Sequence, residues 1–385
     1  MSDTPQGPGW WVASDGRWYP PELHPQGQAV PPPPLPAYQD PNAPDPEVAA
    51  RKAEELPSFA DVVPAEVRTP GVGAGVEARE VVVPGGRVLE VLASGPYWGT
   101  PVLFHHGTPF AAAPWPAAAE AATQHGLRWV TWSRPGYSSS TRQTPRTVSD
   151  TAADAEAVLA ALGHTSFYTI GWSAGGPCAL ACAAKLGHRC LAGATLGSLA
   201  PMAAEGIDWA AGMAPGLTEA LGAADRGMPD LVRSVEARAR LLDRGPEAAH
   251  HGKAIDPLTE LASVFGAAPA AADVAAMVGG ASEPLGDALR SALALGLDGW
   301  CDDVRGLAGD WGFDVSTIDV PFAVWHGADD PWVPTAHGAW LAGQVHGARW
   351  RPLAGEGHVS PLLRLLDVVL EDLVDLSRST AQGVL

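Results

Sequence analysis

Apolar and polar positions change rhythm several times along the chain. Val76 to Val83 and Arg87 to Ala93 read as two β-branched strands joined by Pro84-Gly85-Gly86, an opening hairpin. Val102 to His105 is a short buried strand, Ala111 to His125 an Ala-rich helix, and Arg128 to Ser133 another strand. A helix is predicted over Val148 to Leu162, started by Thr147 and stopped by Gly163. Next come a strand over Ser166 to Gly171, a helix over Ala174 to Leu186 and a strand over Cys190 to Leu196. Near the end, Val320 to Trp325 and Arg349 to Pro352 read as strands, and Pro361 to Leu376 as a closing helix. Strands alternating with helices predict an α/β fold, a mostly parallel sheet with helices on both faces.

Between Leu199 and Trp311 no strand pattern occurs. Helical patterns stand at Leu217 to Leu221, Asp230 to Leu242 and Leu285 to Leu295. An all-helical insertion there would form a lid over the C-terminal ends of the strands, where open α/β sheets bind ligands. The expected division is an aromatic hairpin-like module (1–25), a Pro-rich linker with a short helix around Pro46 to Leu56 (26–57), a core (58–198 and 312–378), the lid (199–311) and a tail (379–385). The module rests on Trp10 and Trp11 facing Trp18 and Tyr19 across Ser14-Asp15-Gly16, where Asp-Gly signals a tight turn.

Composition narrows the function. A net charge of -19 over 385 residues argues against nucleic acid and anionic membranes, since both need basic patches. The four cysteines (Cys178, Cys182, Cys190, Cys301) show no disulfide-like framework. Cys178 and Cys182 read as buried packing residues rather than metal ligands. With no secretory signal and no apolar run of membrane-spanning length, a cytoplasmic protein without membrane insertion is expected. No nucleotide-binding glycine loop is present, so no cofactor and no metal is expected.

The chemistry concentrates in four short segments. Ile170-Gly171-Trp172-Ser173-Ala174-Gly175-Gly176 contains Gly-x-Ser-x-Gly between a strand and a helix, a turn that lifts a serine hydroxyl clear of the sheet. Ser173 is therefore the expected nucleophile. His105-His106-Gly107-Thr108-Pro109 follows a strand, and the N–H of Thr108 would pair with that of Ala174 as an oxyanion hole. Trp325-His326-Gly327-Ala328-Asp329-Asp330 places a carboxylate at a strand end, with Asp330 favoured over Asp329 by its Gly-x-x-Asp-x-x-Val-Pro spacing. Gly355-Glu356-Gly357-His358 precedes the last helix. His358 would be the base, oriented by Asp330.

The order Ser173, Asp330, His358 resembles that of the α/β-hydrolase superfamily over roughly residues 76 to 378. Lid-bearing actinobacterial hydrolases of the proline-iminopeptidase and haloperoxidase-like type are the nearer resemblance. It rests on His106-Gly107-Thr108-Pro109, Arg134-Pro135-Gly136-Tyr137, Gly171 to Pro177 and Gly355-Glu356-Gly357-His358. Ser133 stands where that family usually has Asp, and Ser138 where it usually has Gly. The N-terminal Gly-Trp-Trp and Asp-Gly-x-Trp-Tyr-Pro-Pro resemble a short module at the front of many actinobacterial proteins, which would offer a protein contact.

Haloalkane dehalogenases and epoxide hydrolases of this fold use Asp at the elbow, so a serine there implies acyl transfer to water. Phe110, Trp172 and His106 adjoin these segments and are the expected substrate-binding residues, while Trp132 reads as core. Glu205 and Asp208 could hold a substrate amine but read more simply as a solvated acidic face. Trp300-Cys301-Asp302-Asp303 could be a second acid site but reads as a helix cap. The expected activity is hydrolysis of a small, largely apolar carboxylic ester. Alternatives are an aminopeptidase on short peptides and a non-catalytic ligand-binding protein on the same fold.

Overall fold

The computed structural model describes residues 11–12, 18–19, 75–242, 257–277 and 282–381. The chain divides into two units, residues 1–58 and 59–385. In the first, Trp11–Val12 pairs antiparallel with Trp18–Tyr19, Trp11 opposite Tyr19. The Asp15-Gly16 turn, the Pro-rich linker and the helix expected around Pro46 to Leu56 lie outside the described residues.

The second unit is built on eight strands: β1 Val76–Val83, β2 Arg87–Ser94, β3 Thr100–His105, β4 Leu127–Trp132, β5 Phe167–Trp172, β6 Cys190–Leu196, β7 Phe322–Gly327 and β8 Arg349–Leu353. They form one sheet in the order β8-β7-β6-β5-β3-β4-β2-β1. β1 and β2 pair antiparallel, as do β2 and β4, and all other pairs are parallel. Every residue of β4, β5 and β7 is buried, as strands covered on both faces must be.

The core helices are α1 Pro116–Gln124, α2 Thr151–Leu162 and α3 Gly176–Lys185. Between β6 and β7 the described residues form six more: α4 Pro215–Arg226, α5 Met228–Leu242, α6 Pro257–Phe265, α7 Ala271–Ala276, α8 Glu283–Leu293 and α9 Asp298–Ala308. After β7 come α10 Thr335–Gln344, α11 Ser360–Arg364 and α12 Leu366–Ala381.

The differences from the sequence expectation have local causes. The helix expected from Ala111 starts at Pro116, because prolines at 114 and 116 are tolerated only in a first helical turn. The one expected from Val148 opens with a 3₁₀ turn, in which the Asp150 carboxylate accepts the Thr147 N–H at 2.6 Å. The closing helix is broken at Leu365 into α11 and α12. In the insertion α6, α7 and α9 were not expected. All four cysteines are free and buried, and among the described residues no helix is long and apolar enough to cross a membrane.

Candidate active site

β5 runs into a backbone that turns so sharply that Ser173 adopts φ +56°, in the left-handed region a non-glycine residue rarely enters. Its flanking glycines are steric requirements. A Cβ on Gly171 would sit 2.2 Å from the carbonyl oxygen of Gly175, and one on Gly175 would sit 1.9 Å from that of His105. A 3₁₀ turn over Ser173–Gly175 then leads into α3. Ser173, Thr108 and Ala174 together face a cavity of about 480 Å³. Its other walls are apolar and come mostly from the insertion, including Leu217 and Leu221 of α4, Phe265 of α6, and Trp300 and Val304 of α9. Arg238 of α5 also lines it, its guanidinium occupied by Glu219 and Ser234.

His358 and Asp330 meet at 2.6 Å, Nδ1 to Oδ2. The loop after β7 prepares that carboxylate, whose Oδ1 accepts the N–H groups of Trp332 and Val333, both at 2.9 Å. His326 Nε2 stands 3.5 Å from Oδ2 and is bonded to the carbonyl of Val333 at 2.8 Å. Burial works against the Asp330 charge, but His358 and His326 outweigh it and hold the carboxyl well below its usual range. Burial likewise opposes the His358 charge, and Asp330 overcomes it, raising the imidazole above 6.5. Asp329, its neighbour, is exposed. His358 packs between the rings of Trp172 and Trp332, with centroids at 5.6 and 5.3 Å, and Trp172 Nε1 donates to its carbonyl at 2.9 Å. Among the described residues the Ser173 hydroxyl has no hydrogen-bond partner.

The loop after β3 is gripped from behind. Arg134 donates through Nη1 to the carbonyl of His106 and through Nη2 to that of Gly107, the latter at 3.0 Å. Its Nη2 also reaches the Thr108 hydroxyl at 3.0 Å. The same guanidinium binds the Asp303 carboxylate of α9, which also takes Arg146, the Tyr137 hydroxyl (2.8 Å) and the Thr108 hydroxyl. Burial opposes the Asp303 charge, yet Arg134 and Arg146 hold its carboxyl well below the usual range. Asp302 beside it binds Arg142 at 2.7 Å. These two aspartates stand within α9 and do not cap it, which corrects the reading of Trp300 to Asp303 as a helix cap.

Not every expected residue reaches the cavity at Ser173. His106, Phe110 and Trp172 line a second cavity of about 350 Å³ that shares no lining residue with the first. Burial and Arg134 push the His106 imidazole down to about 3, and its ring nitrogens contact the carbonyls of Gly107 and Trp132. Both nitrogens are thus engaged by backbone, away from the cavity at Ser173. Glu205 and Asp208 are exposed and line neither cavity. Ser133 Oγ accepts the Ala112 N–H at 3.2 Å, and Ser138 takes φ +48°, the conformation for which glycine is the usual choice. Among the described residues no cluster fit to hold a metal occurs.

One residue gave no sequence signal at all. Asp273 of α7 is fully buried, and its carboxylate accepts the N–H groups of His358 (3.1 Å), Val359 (2.8 Å) and Ser360 (2.8 Å). It thereby holds the backbone that carries His358. The nearest clue was positional only, an aspartate amid alanines in the insertion.

Residues 100–364 match the family model of the alpha/beta hydrolase fold, well over half of the chain. No curated protein sequence matches the chain. Among solved structures it is similar to a hydrolase from Pseudomonas aeruginosa PA01 (18% identity, TM-score 0.56, 78% of this chain and 97% of that one). A bromoperoxidase from Bacillus anthracis is similar at 17% identity and TM-score 0.55, over 78% of this chain and 100% of its own. A thermophilic esterase from Thermogutta terrifontis is similar at 18% identity and TM-score 0.54, over 78% and 99%. At such identities the likeness to solved structures concerns the fold. With the family match covering the sheet from β3 onward, the chain belongs to the α/β-hydrolase fold family and is a hydrolase.

Proposed function

We propose that the protein is a serine hydrolase that cleaves small, largely apolar carboxylic esters through an acyl-enzyme. The observation that carries this reading is Ser173, held at φ +56° and opening with Thr108 and Ala174 onto an apolar cavity. Asp330 accepts Nδ1–H of His358, which leaves Nε2 with its lone pair as the base. Ser173 Oγ attacks the ester carbonyl and gives its proton to Nε2, and the imidazolium is stabilised by the buried Asp330. The carbonyl oxygen, now negative, takes the N–H groups of Thr108 and Ala174, each worth about 3 kcal/mol of barrier. His358 protonates the departing alkoxide, the tetrahedral intermediate collapses to the acyl-enzyme, and water activated by the same nitrogen releases the acid.

Substrate polarity follows from the walls. Leu199, Leu217, Leu221, Val264, Phe265 and Leu307 favour an apolar acyl group. The exposure of Glu205 and Asp208 removes the feature that would hold a peptide's amine, which favours esters over peptides. The insertion, as the cavity's roof, acts as the lid. A fluorophosphonate probe should label wild type and leave Ser173→Ala unlabelled, and nitrophenyl esters should turn over where proline and alanine anilides do not. An unlabelled wild type would overturn the reading.

A further inference from the structure

The lid does more than roof the cavity. Two of its carboxylates reach down into the core, and each takes hold of a different catalytic loop. Asp303 of α9 binds Arg134, which in turn holds the carbonyls of His106 and Gly107 and the hydroxyl of Thr108. With two successive carbonyls tied to one guanidinium, the peptide planes of the loop are fixed, and so is the direction in which the Thr108 N–H points. α9 is also docked on the loop after β4, which carries Arg134, by the Gly299 N–H, which donates to the carbonyl of Gly136 at 3.1 Å. On its other face α9 sends Trp300 and Val304 to the acyl cavity. Asp273 of α7 does the matching work for the base, accepting three successive N–H groups at His358, Val359 and Ser360.

We propose that Asp303 and Asp273 are positioning residues through which the docked lid sets, respectively, the oxyanion hole and the general base. Substrate admission and catalytic competence then share one element, because a lid that lifts withdraws both carboxylates. The arrangement is physically costly, since a buried charge is retained only where its partners are complete. Asp303 has two guanidiniums and two hydroxyls, and Asp273 has backbone donors alone. Asp273 also contributes negative charge at His358. The titratable groups facing that imidazole are Asp330, from the loop after β7, and Asp273, with His326 of β7 behind Asp330. Loss of the Asp273 charge should therefore lower the pH at which His358 becomes a base.

The inference rests on the serine-hydrolase reading, and its test separates the two. Wild type, Asp303→Asn and Asp273→Asn are compared by fluorophosphonate labelling, ester kinetics and binding of an alkylboronic acid, a mimic of the tetrahedral adduct, with thermal melts to establish folding. For Asp303→Asn, kcat should fall about 10- to 100-fold, the size of effect that a misplaced donor or a loosened loop produces. KM should change little, and boronate affinity should fall in parallel with kcat. The loss should be equal for acetyl and hexanoyl esters, whereas a residue that only shapes the cavity wall would act on the longer chain. For Asp273→Asn, kcat should fall and the acid limb of kcat/KM should move to lower pH, a shift that loosened packing alone would not produce. If Asp303→Asn does not fold, Tyr137→Phe cuts a single hydrogen bond to the same carboxylate. It should then cost about 3- to 10-fold in kcat and in boronate affinity, the size of one hydrogen bond. If Asp273→Asn does not fold, Asp273→Ser keeps an acceptor without the charge and should show the same shift of the acid limb. Folded variants with wild-type kcat, boronate affinity and pH profile would overturn the inference while wild type still labels. A wild type that does not label would overturn the serine-hydrolase reading instead.

Discussion

The C-terminal edge of the sheet and the helical insertion above it contribute to the same site by opposite means. At the sheet edge each functional group sits in a tight turn whose backbone demands particular neighbours. Ser173 at φ +56° needs glycine at 171 and 175, where any side chain would collide with backbone atoms. In the insertion the contributing groups, Asp273 and Asp303, stand in ordinary helices and act across 85 to 195 positions of sequence. A site built from strand-end turns advertises itself locally. One completed by long-range carboxylates does not.

The comparison is tested hardest at the edge itself. Ser173→Ala removes the nucleophile, and kcat for a nitrophenyl ester should fall about 10⁴- to 10⁶-fold, with KM and melting temperature little changed. A smaller loss would mean that another group attacks. Asp330→Asn comes next. It should cost about 10⁴-fold in kcat, because the amide no longer holds His358 in the tautomer that leaves Nε2 free. It should also move the acid limb of the profile. His358 must be neutral to accept the serine proton, so wild-type activity falls as pH drops through a pKa raised above 6.5. Without the Asp330 charge that pKa falls and the limb shifts to lower pH. A limb that stays in place would assign it to another group.

How much of this was legible follows from the same contrast. The eight strands, the strained turn at Ser173 and the pairing of Asp330 with His358 could be read because β-branched runs and glycine-flanked turns are local patterns. α9 was missed because five successive residues, Trp300 to Val304, are buried, and two are aspartates. Its polar side is turned inward onto arginines rather than to solvent, so the pattern does not read as an ordinary surface helix. Phe110, Trp172 and His106 do not line the cavity at Ser173, for a different reason. They adjoin the motifs in sequence, but adjacency in sequence does not say which way a loop residue (His106, Phe110) or a strand-end residue (Trp172) faces, and these three line the other cavity.

Two smaller effects probe where edge and insertion meet. Gly197 follows β6 at φ +57°, and a Cβ there would come within 3.1 Å of His358 Nδ1 and 3.3 Å of Asp330 Oδ2. Gly197→Ala should strain the backbone by about 1–2 kcal/mol and push the pair apart, lowering kcat about 100-fold. A crystal structure of the variant with an undisturbed 2.6 Å contact would refute that cause. On the insertion side, Ala220 of α4 lines the acyl cavity. Ala220→Leu fills part of it, so kcat/KM should fall about 10- to 100-fold for hexanoyl esters and hold for acetyl. Equal losses for both would mean that the acyl chain lies elsewhere.

The smallest expected effect is none. Residues 59–385 contain all eight strands of the sheet, both catalytic loops and both lid carboxylates, and they form a compact unit distinct from residues 1–58. Removing 1–58 takes away the paired strands Trp11–Val12 and Trp18–Tyr19 and leaves every described residue that lines the cavity. Labelling rate, kcat/KM and the acyl-chain preference should all be those of the full chain. A truncated protein that melts normally yet labels slowly would show that the N-terminal segment takes part in the site, and the division of labour drawn between sheet edge and lid would then need a third member.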